Sequence, residues 1–180
     1  VDDRPALLEE RIATYAAREA AGQIVDIRRC DNPPFENPQD RLLQFYIQTM
    51  PLGDMNWFNG FAYLNLMNRE AVKLFLETTH EVYRREVGEE FGGAVPGMFT
   101  DEPCTYFRVN QAANPSASLP WVQNLPEEFT RRRGYDLMPH LAGLFFDTGA
   151  ESDLRVRYHY WLTVTELFVE NFTTQVAEWC

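Results

Sequence analysis

The stretch Gly92-Gly93-Ala94-Val95-Pro96-Gly97-Met98-Phe99-Thr100-Asp101-Glu102-Pro103 decides how the fold is read. Small and apolar residues run into two acids and stop at a proline, the pattern of a buried strand whose carboxyl end delivers charge. Immediately upstream, Asn68 is placed to cap a helix running to Val87. Val72, Phe75, Leu76, Thr79, Val82, Tyr83 and Val87 give that helix a continuous apolar stripe, and Gly88 ends it. Further upstream, Gln23-Ile24-Val25-Asp26-Ile27 and Arg41 to Met50 read as strands, the second with a largely buried face. The order strand, helix, strand predicts a βαβ unit and a parallel pair.

Pro5 to Ala21 carries Leu7, Leu8, Ile12 and Tyr15 at helical spacing and reads as a helix, with Gly22 at its C-terminal cap. Residues 31–38 and 51–60 read as loops. Cys104 to Leu125 is a long polar segment of the kind that carries function or moves. Pro126 opens a short helix ending at Gly134, where Arg131-Arg132-Arg133 complement the helix dipole. Leu137 to Phe146 reads as a second helix, and Ser152 or Asp153 caps a last one that continues to Cys180 along the stripe Trp161, Val164, Phe168, Phe172, Val176 and Trp179. The predicted architecture is α/β: a partial (β/α) barrel-like fragment with a few parallel strands, long helices and a helix-rich C-terminal half.

The chain has 180 residues, 45 % of them apolar, which predicts a single globular domain over 1–180 with a substantial core. Sixteen basic residues against 27 acidic ones leave a net charge of −11, which argues against nucleic acid and against an anionic membrane surface as partners. No apolar run reaches the roughly 20 residues of a membrane span. No signal-peptide pattern opens the chain, although a start at Val1 is compatible with a leader already removed. Cys30, Cys104 and Cys180 are too few and too widely spaced for a disulfide framework, and read as free buried thiols of a reducing compartment, which favours the cytoplasm.

The chemistry concentrates on Asp101 and Glu102. A carboxylate at the tip of a parallel strand faces the crevice where α/β proteins bind ligands. Pro103 holds the preceding residue extended, and Phe99, Trp57 and Tyr106 are placed to desolvate Glu102 and raise its pKa, so that it serves as a proton donor. Trp57, Tyr106 and Trp121 are the candidate substrate-binding aromatics. His80-Glu81 lacks the second histidine of a zincin helix because position 84 is Arg, and His140 and His159 stand alone. A metal-dependent hydrolase using Asp101, Glu102 and His80 is a weaker third reading.

An ordered series of blocks also resembles the barrel region of large bacterial glycoside hydrolases, the α-L-rhamnosidases of family 106 and relatives labelled family 2-like. The blocks are Tyr63-Leu64-Asn65-Leu66-Met67-Asn68, Thr79-His80-Glu81-Val82-Tyr83, Gly97 to Pro103, Leu125-Pro126-Glu127-Glu128-Phe129, Gly134-Tyr135-Asp136-Leu137, Arg155-Val156-Arg157-Tyr158 and Leu167 to Phe172. They span roughly residues 60–180. The resemblance implies a (β/α)₈ barrel, with Glu102 as general acid and Asp101 orienting it or binding sugar hydroxyls or a metal. It implies a carbohydrate substrate and no resident cofactor, with calcium conceivable in the parent enzyme. A whole barrel needs roughly 200–250 residues and a second carboxylate from another strand. The chain is therefore expected to be an excerpt, inactive by itself, that self-associates as a homodimer to cover exposed edges. The rival expectation is a non-catalytic carbohydrate-binding or assembly domain.

Overall fold

The computed structural model describes residues 9–20, 23–30, 39–49, 62–105 and 118–180. Three strands open it: β1 (Glu9–Ala20), β2 (Gln23–Arg29) and β3 (Arg41–Gln48). They form one antiparallel sheet in the order β2-β1-β3. Ala20 pairs with Gln23, so β1 returns directly into β2, and Ala16 faces Arg28 on one side and Leu42 on the other.

The expected helix over residues 5–21 is therefore corrected over Glu9–Ala20, which is the central strand of the sheet. Its alanines are strong helix formers, but two flanking strands override that propensity. Ala13, Thr14, Tyr15, Ala16 and Ala17 are all buried, so the strand lacks the polar alternation by which a sequence announces β structure. Register shifts at Arg11/Ala13 and Ala16/Arg18 blur the period further. Gly22, expected to close that helix, lies outside the described residues.

The parallel βαβ unit and the barrel-like fragment are likewise overturned: no pair of parallel strands occurs among the described residues. The Gly92–Pro103 stretch lies in no strand. Gly92 N–H donates to the Val95 carbonyl at 2.9 Å and Val95 N–H to the Glu90 carbonyl at 3.0 Å, a tight turn after which residues 96–105 run without regular pairing. Gly92, Gly93 and Gly97 disfavour extended pairing and Pro96 has no N–H to give a ladder.

By contacts the chain divides into two compact units, each assembled from two separate pieces. The first takes residues 1–63 and 123–163. Here Tyr15, Phe45 and Phe145 stack in series, at 5.4 and 5.2 Å between ring centroids, and the Tyr15 hydroxyl donates to the Met138 carbonyl at 2.6 Å. Helix α3 (Leu125–Arg133) places Leu125 and Phe129 in the core and ends at Gly134, whose φ of 78° suits a residue without Cβ. Arg131 and Arg132 pair with Glu128, which holds that carboxyl below its usual range. A 3₁₀ stretch over Met138–Leu144 replaces the expected helix at 137–146. Helix α4 (Ser152–Phe168) then buries Val156 and Tyr160, while Arg157 donates to the Gly143 and Phe146 carbonyls at 2.7 and 2.5 Å.

The second unit takes residues 64–122 and 164–180. Asn68 caps α1 (Arg69–Phe75) as expected, accepting from Ala71 N–H at 3.0 Å. The helical run passes through a π turn at Leu76–His80 into α2 (Glu81–Val87), and a second π turn at Val169–Thr173 joins α4 to α5 (Thr174–Trp179). The wider i→i+5 turn keeps positions four apart on one face. Val72, Leu76 and His80 are accordingly buried, whereas Val82 and Tyr83, expected on the same stripe, rotate out to solvent. Val164, Leu167 and Phe172 are the buried residues of the C-terminal piece. Asn171 donates to the Met67 carbonyl at 2.7 Å and Gln175 to the Arg69 carbonyl at 3.2 Å, so the second π turn fastens the start of α1.

Candidate functional site

The second unit presents the sequence-predicted acids on the irregular segment after the Gly92 turn. Asp101 and Glu102 are both exposed, and Phe99, two residues before them, is 87 % exposed. Glu102 adopts φ 40°, a left-handed backbone uncommon for a residue with a Cβ, instead of the extended geometry that Pro103 was expected to impose. Alternation of side chains along a strand does not apply here. Phe99 leaves Glu102 in water, without the desolvation foreseen for a proton donor.

The other expected site residues fall apart. Trp57 and Tyr106 lie outside the described residues. Trp121 is half-buried; its carbonyl accepts from Asn65 Nδ2 at 2.8 Å, and its enclosed indole N–H has no acceptor. Among the described residues no hydrogen bond or ring contact joins Trp121 to Phe99, Asp101 or Glu102. Nor does any group of three His, Cys, Asp or Glu side chains converge as metal ligands there, so His80, Asp101 and Glu102 do not form the set of the metal-hydrolase reading. The three cysteines are unoxidised thiols outside any disulfide, Cys30 and Cys104 half-buried and Cys180 exposed, rather than buried. No helix among the described residues is long and apolar enough to cross a membrane.

His80 has a different setting from the one its sequence neighbours suggest. It is buried between Phe75 and Trp179, with ring centroids 5.2 and 4.9 Å away and both contacts edge-on, and its Nδ1 has no partner. Trp179 is held in turn by its indole N–H, which donates to Glu81 Oε1 at 2.7 Å. Burial lowers the His80 pKa from its ordinary 6.5. Between that lowered value and 6.5 the unfolded chain binds a proton that the folded one refuses, so stability is lost as the pH falls below 6.5. His80→Phe, which keeps the ring packing, is expected to flatten this acid limb. Urea unfolding at about pH 8 and about pH 5.5 checks it, and parallel losses in variant and parent would dismiss His80 as the cause.

In the first unit, the sequence reading left His140 and His159 as isolated residues, and the structure gathers both around one phenol. The Tyr135 hydroxyl lies 3.0 Å from His159 Nδ1, the His140 ring stands edge-on to Tyr135 at 5.5 Å, and Phe129 backs the same ring at 5.0 Å. The one signal available in the sequence was the four-residue spacing of Arg155 and His159 on a predicted helix, which puts both on one face. Compared with protein-family models, with curated proteins and with solved structures, the chain matches none of them.

Proposed function

We propose that the chain is a non-catalytic, saccharide-binding portion of a carbohydrate-active protein, with Phe99, Asp101 and Glu102 as its contact residues. The observation that carries this reading is an 87 %-exposed aromatic ring two residues from a pair of exposed carboxylates. A sugar offers C–H faces to an aromatic ring and hydroxyl donors to a carboxylate, and this segment supplies one group for each. Recognition is favoured over hydrolysis because a general acid works in an enclosed site, whereas Glu102 stands in water. The ordered blocks between residues 60 and 180 support the carbohydrate class. Leu154, Tyr158 and Trp161 are exposed along one face of α4, apolar surface of the kind that self-association covers.

The test is a glycan array probed with the 180-residue protein, followed by titration calorimetry on the sugars retained. Phe99→Ala is expected to weaken binding about tenfold, the loss of roughly 1–1.5 kcal/mol of ring contact, and Asp101→Asn with Glu102→Gln to weaken it further. Binding unchanged in both variants, or a silent array, would overturn the assignment. Turnover of aryl glycosides that disappears in Glu102→Gln would restore the rival reading, in which Glu102 is the general acid of a glycosidase.

A further inference from the structure

The phenol of Tyr135 sits among cationic and ionisable groups drawn from three elements of the first unit. Arg133 closes α3 and donates through Nε to Thr163 Oγ1 at 3.1 Å. His140 comes from the 3₁₀ stretch, and Arg155 and His159 from neighbouring turns of α4. The Arg155 guanidinium lies over the Tyr135 ring, 5.7 Å from its centroid, which fixes its planar fork against an aromatic surface. Among the described residues no carboxylate pairs with Arg155. The nearest acid in sequence to the phenol, Asp136, is directed to its own turn, where it accepts from Met138 N–H at 2.9 Å.

In a chain of net charge −11, guanidinium charge left unneutralised beside a histidine is out of keeping with the whole. Its effect is visible on the neighbours. His159 is held below its ordinary pKa by burial and then by the charges of Arg133 and Arg155. Tyr135 is raised by burial, with Arg155 acting against the rise. The phenol therefore keeps its proton and can donate to Nδ1 of a neutral His159, which makes Nε2–H a second donor.

We propose that Arg155, His159 and Tyr135 form a binding site for a small oxyanion, a carboxylate or a phosphate group, taken between the guanidinium fork and the imidazole N–H. The ligand supplies the counter-charge that Arg155 lacks among the described residues. On binding, it favours protonation of His159: Nδ1–H then donates to the phenol oxygen, and the phenol proton turns toward the anion. The site goes beyond the saccharide assignment to Phe99, Asp101 and Glu102, and it stands or falls separately.

The histidine ring resonances of the isotopically labelled protein, followed against pH at constant ionic strength, test it. Galacturonate is the carboxylate probe and inorganic phosphate the other, and whichever saturates identifies the source. The expected result is a saturable shift at His159 with a raised apparent pKa, weakened about tenfold in Arg155→Gln and partly recovered in Arg155→Lys. Arg84→Gln, on α2, should leave it unchanged. A shift that grows linearly with either salt, or equally in Arg155→Gln and the parent, would overturn the site. Should Arg155→Gln lose its fold, His159→Gln monitored through His140 must abolish the saturable response. Its persistence there would also overturn the site.

Discussion

Phe129→Ala is expected to lower the unfolding free energy by about 3–5 kcal/mol, a large share of the roughly 5–15 kcal/mol that holds a domain folded. Phe129 is fully buried in the middle of α3, and its ring meets Tyr135 edge-on at 5.0 Å. Truncation removes the transfer energy of the ring and leaves a cavity against Tyr135 that close-packed neighbours fill only partly. Leu154→Ala removes a comparable apolar side chain from a 77 %-exposed position of α4 and should change stability by no more than about 0.5 kcal/mol. Urea unfolding of the two variants beside the parent measures the contrast. Equal losses would mean that Phe129 is not a core residue. The effect should extend beyond stability, because Phe129 also holds the phenol that His159 bonds.

The second large effect is expected at Asp153. This buried carboxylate accepts from Thr148 N–H at 2.7 Å and from the Thr148 hydroxyl at 3.0 and 2.9 Å, joining the start of α4 to the turn before it. It was expected to be one of two candidate caps for α4, and instead it organises the residues that lead into the helix. Asp153→Ala orphans both donors of Thr148 and should cost about 2–4 kcal/mol, because hydrogen bonds to a charged group are the stronger kind. Asp153→Asn keeps an acceptor for the N–H and supplies an amide donor to the hydroxyl oxygen, so it should cost less. Gly143 is bound into the same arrangement: a Cβ there would lie 2.6 Å from Asp153 Oδ1. Gly143→Ala should therefore destabilise the parent and do so less in the Asp153→Ala background. A strictly additive double-mutant cycle would refute the clash.

Where neighbouring residues carry the information, the sequence reads correctly. Asn68 before an apolar stripe, Pro126 opening α3 and Gly134 closing it are local chemistry, and each falls where the structure puts it. The strands β2 and β3 are legible for the same reason, through their β-branched and aromatic runs. The central strand is not, because what makes Glu9–Ala20 a strand is pairing on both flanks, and its alanines state a helical preference that pairing overrules. The parallel sheet fails for a separate reason: Gly92–Pro103 lies in no strand, so the strand tip that was to present Glu102 does not form. At the acids, the residues were legible and their surroundings were not: exposure of Phe99 and Glu102 depends on what the rest of the chain does not cover. The approach of Tyr135 to His159 spans 24 positions, and no local pattern reports it.

The two units interleave along the chain, the second needing residues 64–122 together with 164–180. The tie from Asn171 to Met67 closes a separation of 104 positions, and that from Trp179 to Glu81 one of 98. On the ribosome, where the N-terminal part emerges first, Val72, Leu76 and His80 must wait for their final partners until residues 164–180 have been made. That interval leaves a greasy helix face open to chaperones. Neither unit can be lifted out as one uninterrupted span, because any span that holds all of one unit carries a piece of the other.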